Sequence, residues 1–116
     1  MQFAVDRTAV HGRPALRVRG ELDIATVAEL AECVEAELAT SPRGLVVDLT
    51  DTAFMDSSGA RQLVRTAKRV AETGTALQVV CPRSNSPVRL VIDLLELDRL
   101  VPVVETAGLT DGEVGS

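Results

Sequence analysis

The segment that most limits how this chain can fold is residues 45–49, LVVDL. Successive side chains on a strand point to opposite faces. Apolar residues at consecutive positions therefore need cover on both sides, as in the centre of a parallel sheet with helices packed on it. The flanking sequence supplies those helices. Upstream, Val27, Leu30, Ala31, Val34 and Leu38 recur at the spacing of one helical face. Thr26 followed by Glu29 has the form of a capping box. Downstream, Ala60, Leu63, Val64, Ala67 and Ala71 form a second stripe, stopped by Gly74. Ser86 and Pro87 open a third helix as N-cap and first-turn proline, with a stripe of Val88, Val91, Leu94 and Leu95.

Four further segments read as strands. QFAV and ALRVR flank DRTAVHGRP, where Gly12 and Pro14 predict a hairpin turn. ALQVV at 76–80 is a third. LVPVV is the last, and its Pro102 cannot donate to a ladder, which puts it at an edge. The order β-β-α-β-α-β-α-β predicts one α/β domain over residues 1–106. Its sheet is mixed but mostly parallel, of about five strands, with right-handed crossovers and helices packed on it. Residues 107–116 read as a polar, frayed tail.

Composition removes several function classes. The 116 residues carry 17 acids against 12 bases, a net charge of −5, which argues against direct nucleic-acid binding. Aromatic content is 2%, so no platform exists for stacking bases. No apolar run reaches the ~18 residues that span a bilayer. The N-terminus lacks the pattern of a signal peptide, so a cytoplasmic protein without membrane partners is expected. Cys33 and Cys81 have no metal-ligand spacing and read as buried free thiols. No metal and no cofactor are expected. A serine hydrolase is disfavoured because Met55 stands where the elbow needs glycine, and the single histidine, His11, lies in a hairpin loop.

One motif stands out between the apolar strand and the second helix: FMDSSGAR, residues 54–61. Its hydroxyls and Asp56 are all suited to capping a helix. A second, GELD at 20–23, combines a turn glycine with acids near a helix start. Arg61, Arg65 and Arg69 make a basic stripe at four-residue spacing. That stripe is either a solvated face or a contact for an acidic partner.

GELDIATVAEL and VVDLTDTAFMDSSGARQLVRTAKRVAETG together resemble the two signature regions of bacterial anti-sigma factor antagonists, the small free-standing members of the STAS family. The resemblance covers residues 2–104. It implies binding to an anti-sigma factor that is also a serine kinase, which releases a sigma factor. It further implies phosphorylation of the serine after the motif aspartate, here Ser57 with Ser58 as the alternative, reversed by a serine phosphatase. Glu21, Asp23, Asp56, Ser57, Ser58, Gly59 and Arg61 are the partner-binding residues this implies. The chain departs from the family pattern in reading GAR where G-L-G is common. It also lacks the glycine often found near the end of the third helix. The other reading is a STAS scaffold or transport-complex subunit with no phosphorylation switch.

Physical chemistry suits the modification to its place. A helix start carries unpaired N–H groups and about half a positive charge, so a phosphate there is compatible with folding. The added charge, about −1.5 to −2, must then be desolvated by any partner that covers Ser57. Beside Asp56, read as an uncompensated acid, a penalty of about 3 kcal/mol would weaken docking more than a hundredfold.

Overall fold

The computed structural model describes residues 2–107. Strand β1 (Ala4–Val10) and strand β2 (Arg13–Leu22) form an antiparallel hairpin, in register from Ala4↔Arg19 to Val10↔Arg13. Only His11 and Gly12 connect them, with φ of 52° and 76°. Two successive left-handed residues give the turn whose twist matches the strands it joins. Most of DRTAVHGRP is therefore strand, not connection. Asp6 and Arg7 look like loop residues but are held by partners across the fold. Arg19 Nε donates to Asp6 at 2.6 Å, and Arg7 Nε pairs at 2.6 Å with the buried Glu37.

The chain continues through α1 (Val27–Leu38), β3 (Gly44–Asp48), β4 (Thr52–Met55), α2 (Ser57–Glu72), β5 (Ala76–Val80) and α3 (Ser86–Leu94). A 3₁₀ turn (Leu97–Arg99) and β6 (Val103–Val104) follow. The strand order is β1-β2-β3-β5-β6, with every pair after the hairpin parallel. β6 closes one edge, as Pro102 predicts; the Pro102 carbonyl accepts from Val79 N at 2.9 Å. The sixth strand, β4, is absent from the sequence reading. It has four residues and no alternation to mark it, and it exists because β2 outruns β3. The first half of β2 pairs with β3, and its second half pairs with β4, from Gly20↔Thr52 to Leu22↔Met55. The register shifts between Gly20 and Glu21. Gly20 has φ +94°, and a Cβ there would lie 2.9 Å from Phe3 Cα, so a side chain is excluded on both counts.

β3 is covered on both faces. Leu45 and Val47 join the main core with Leu16, Leu22, Leu30 and Leu63. Val46 points the other way, into a small cluster with Ala15 and Val80, against which Val10, Val104 and Ala107 pack. Ala107 is thus half-buried rather than part of a frayed tail; residues 108–116 lie outside the described residues.

The helices depart from their predicted faces in ways that matter below. In α2, Ala71 is exposed, while Val70, Gln62 and Thr66 are buried. In α3, Val88, Arg89 and Ile92 are buried, whereas Leu94 is 72% and Leu95 51% exposed. Thr26 makes no capping bond at the start of α1. Its Oγ1 instead donates to Glu21 O at 2.8 Å and accepts from Asp23 N at 2.9 Å, tying the preceding loop into a knot. Ser86 is inside α3, and Asn85 holds the N-cap position. The Asn85 side chain donates to Leu49 O and Thr52 O at 2.9 Å each, fixing the β3–β4 connection. Cys81 is buried but Cys33 only half so, and both are free thiols whose pKa burial pushes up.

Because Leu45 is fully buried in the central strand, Leu45→Ala should lower unfolding free energy by about 2–5 kcal/mol. Urea denaturation followed by circular dichroism measures this. A smaller loss would mean that the surrounding core collapses into the space.

Candidate functional site

The two sequence motifs meet at the carboxyl end of β2 and β4. Glu21 pairs with Phe54 and Leu22 with Met55. Asp56 N then donates to Leu22 O at 3.3 Å as the chain turns into α2. Gly59 completes the contact. A Cβ there would sit 2.5 Å from Leu22 O and 2.6 Å from Met55 Cγ, so the first turn of α2 rests directly on the end of β2. The requirement for glycine in FMDSSGAR is therefore steric, not conformational.

Asp56 is the N-cap of α2, in extended conformation. Its Oδ1 accepts from Ser58 N at 2.9 Å and Gly59 N at 3.1 Å, and its backbone carbonyl accepts from Ala60 N at 3.0 Å. The expectation of an uncompensated acid is corrected by this geometry, since the carboxylate is held by two helix-start donors. Ser57 is the first residue of α2 and is exposed; Ser58 is half-buried. The Ser57 hydroxyl makes no hydrogen bond with the described residues.

In the neighbouring loop, Glu21 is exposed and Asp23 half-buried. Asp23 Oδ1 accepts from Ala25 N at 3.0 Å, which stiffens the loop and leaves Ile24 75% exposed at its tip. The other wall is apolar. Leu95, Leu97 and Leu100 face Ala60 and Val64 of α2 across an open groove of about 270 Å³, which Ser57 and Arg61 also line. Leu100 is 63% exposed. The sequence pattern does not reveal this surface, because it puts Leu95 in the buried stripe of α3. The signal available was position, since Leu94 and Leu95 fall at the last residue and the C-cap of α3.

The arginine stripe divides. Arg69 forks onto Glu35 of α1 at 2.8 and 3.0 Å, and its guanidinium holds the Glu35 carboxyl below the usual carboxylate range. Arg61 and Arg65 are exposed and form no ion pair with the described residues. Among the described residues no group of three or more His, Cys, Asp and Glu side chains is placed to hold a metal ion. His11 lies at the opposite end of β2, about 30 Å from the site at the usual rise per strand residue. No described helix is long and apolar enough to cross a membrane.

Comparison with known proteins accords with this arrangement. The anti-sigma-F factor antagonist RsfB of Mycobacterium tuberculosis is 29% identical over 96 residues, 83% of this chain and 76% of RsfB. The crystal structure of an anti-sigma factor antagonist from Mycobacterium paratuberculosis superposes with a TM-score of 0.78 at 28% identity, covering 90% of this chain and 87% of that one. The Bacillus cell fate determinant SpoIIAA, in its phosphorylated form, shares the fold with a TM-score of 0.59 at 16% identity, covering 97% of this chain and 95% of that one. The family described as the STAS domain matches residues 5–108. With the parallel β2–β4 junction and the glycine-seated start of α2 both in place, the chain belongs to the STAS domain family.

Proposed function

We propose that this chain is an anti-sigma factor antagonist. It binds an anti-sigma factor with serine kinase activity, so that a sigma factor is released, and phosphorylation of Ser57 turns it off. A serine phosphatase restores it. The observation that carries the reading is the unengaged, exposed hydroxyl of Ser57 at the head of α2, beside an apolar groove. The likeness to RsfB and to the Mycobacterium paratuberculosis antagonist supports the choice of partner class. The docking face comprises Glu21, Asp23, Asp56, Ser57, Ser58, Gly59 and Arg61, with the exposed leucines of the groove as its apolar part.

The chemistry is brought by the partner. Ser57 Oγ takes the terminal phosphoryl group of ATP, ADP leaves, and the hydroxyl proton passes to a base of the kinase. Among the described residues the Ser57 hydroxyl has no hydrogen-bonded base, and the domain acts as substrate and ligand, not as catalyst. An exposed group at a helix start adds charge without disturbing the core, so the folded domain survives modification. The partner must then strip water from that charge, which weakens binding.

Three outcomes test the proposal. Kinase and ATP should add one phosphate, about 80 Da for the group transferred, and Ser57→Ala should abolish it; intact mass measures this. Labelling that persists in the Ala variant would move the site to Ser58. Labelling of neither serine would favour a scaffold or transport-complex subunit. Ser57→Asp should fold as wild type by circular dichroism yet bind the anti-sigma factor at least about tenfold more weakly by calorimetry, roughly 1.4 kcal/mol. Affinity equal to wild type would place Ser57 outside the interface. Dialysed protein should carry no stoichiometric metal and show no esterase activity, by elemental analysis and a chromogenic ester; activity lost in Ser57→Ala would overturn the non-enzymatic reading.

A further inference from the structure

A phosphate on Ser57 meets a shortage of donors. Of the helix-start N–H groups that would greet it, those of Ser58 and Gly59 are bound to Asp56 Oδ1, and that of Ala60 to Asp56 O. The phosphate would also lie close to the Asp56 carboxylate. The residue placed to answer this is Arg61, four positions on.

Three observations converge on it. Ser57 and Arg61 stand at i and i+4 of a continuous helix, a spacing that brings side chains together, and the acid-first order is the more favourable one. Helix side chains lean toward the N-terminus, so Arg61 reaches back over the turn that holds Ser57. Arg61 is also the only charged residue lining the groove shared with Ser57, among the described residues, and it has no ion pair there. Of the other charged groups on this helix and its neighbours, Glu96 and Arg99 pair with each other at 3.3 Å and Arg69 is bound to Glu35, while Arg65, Lys68, Asp98, Glu21 and Asp23 do not line the groove.

We propose that Arg61 is the internal counter-ion of phosphorylated Ser57. The inference rests on the proposed modification and adds a second element to it. In the unmodified protein the Arg61 guanidinium is an exposed cation, available to an acidic group of the partner. In the phosphorylated protein it turns onto the phosphate across one helical turn. Modification thus removes a positive contact from the docking face in the same event that adds a negative charge. The arginine that departs from the family's usual motif would make this chain's switch two-part.

The test installs phosphoserine at position 57 of the full chain during translation, so that no kinase is needed. Phosphorus NMR then follows the second ionisation of the phosphate, ordinarily near pH ~6. Pairing with Arg61 favours the dianion, so the wild-type phosphate should titrate lower than that of Arg61→Gln, by about 0.3 pH unit for a helical pair of this spacing. Arg65→Gln, about 12 Å along the helix from Ser57, should leave the titration unchanged. The difference should shrink in ~1 M salt, where the Debye length is about 3 Å. A titration unaffected by Arg61→Gln, or moved equally by Arg65→Gln, would overturn the pairing. Failure of a kinase to label Ser57 would count against the proposed function and leave this result standing.

Discussion

The contact that the rest of the site depends on is the seating of α2 on the end of β2. At Gly59 there is no room for even a methyl group between the helix and Leu22 O. That close approach sets the height of α2 above the sheet. It brings Asp56 within reach of Leu22 O and determines which residue becomes the exposed head of the helix. β4 exists to deliver the chain to this point, and the bulge at Gly20 lets β2 leave β3 and pair with β4. A glycine on each side, one for its conformation and one for its missing side chain, makes the junction possible. Below it, the apolar side chains of β3 hold the sheet between its two clusters.

Charge is distributed around that junction in a way that composition does not reveal. An aspartate at a helix start ordinarily stabilises it by accepting orphan donors, and Asp56 does so with two of them. The same bonds leave few donors for any later anion at Ser57. Arg69, which sequence spacing groups with Arg61 and Arg65, is committed to holding α1 and α2 together through Glu35. A fork between two exposed groups is worth little in stability. Its importance is positional, since of the three arginines of the stripe it leaves Arg61 and Arg65 without an ion pair among the described residues.

The apolar component of the site comes from an element whose pattern is misleading. The C-cap of α3 and the following turn present Leu95 and Leu100 to solvent beside the polar head of α2. Exposed leucines are unremarkable singly, but several together next to polar groups mark a surface that a partner covers. The juxtaposition of an apolar wall with a modifiable hydroxyl suits a switch by charge. Binding then draws on apolar burial, while the phosphate introduces a desolvation cost at its border.

Sequence alone determined the fold class, the central place of residues 45–49, the edge position of β6 and the existence of all three helices. Those depend on hydrophobic period, strand length and the chemistry of Gly and Pro, all local. It also identified FMDSSGAR and GELD as the informative segments. What it left open, or got wrong, depends on who lies opposite whom. β4 has too few residues to carry a period and is a strand only because β2 extends past β3. Asp56, not Ser57, is the cap because the turn from β4 directs its side chain at the helix start. Thr26 and Asn85 resemble ordinary helix-start residues, yet their side chains tie loops, since backbone groups of Glu21, Leu49 and Thr52 come within reach only after folding. Leu94 and Leu95 match a helical stripe yet are exposed, and they stand at the last residue and the C-cap of α3, where the helical period stops. Which arginine is free likewise follows from the approach of α1 to α2, a distance no spacing along the chain encodes.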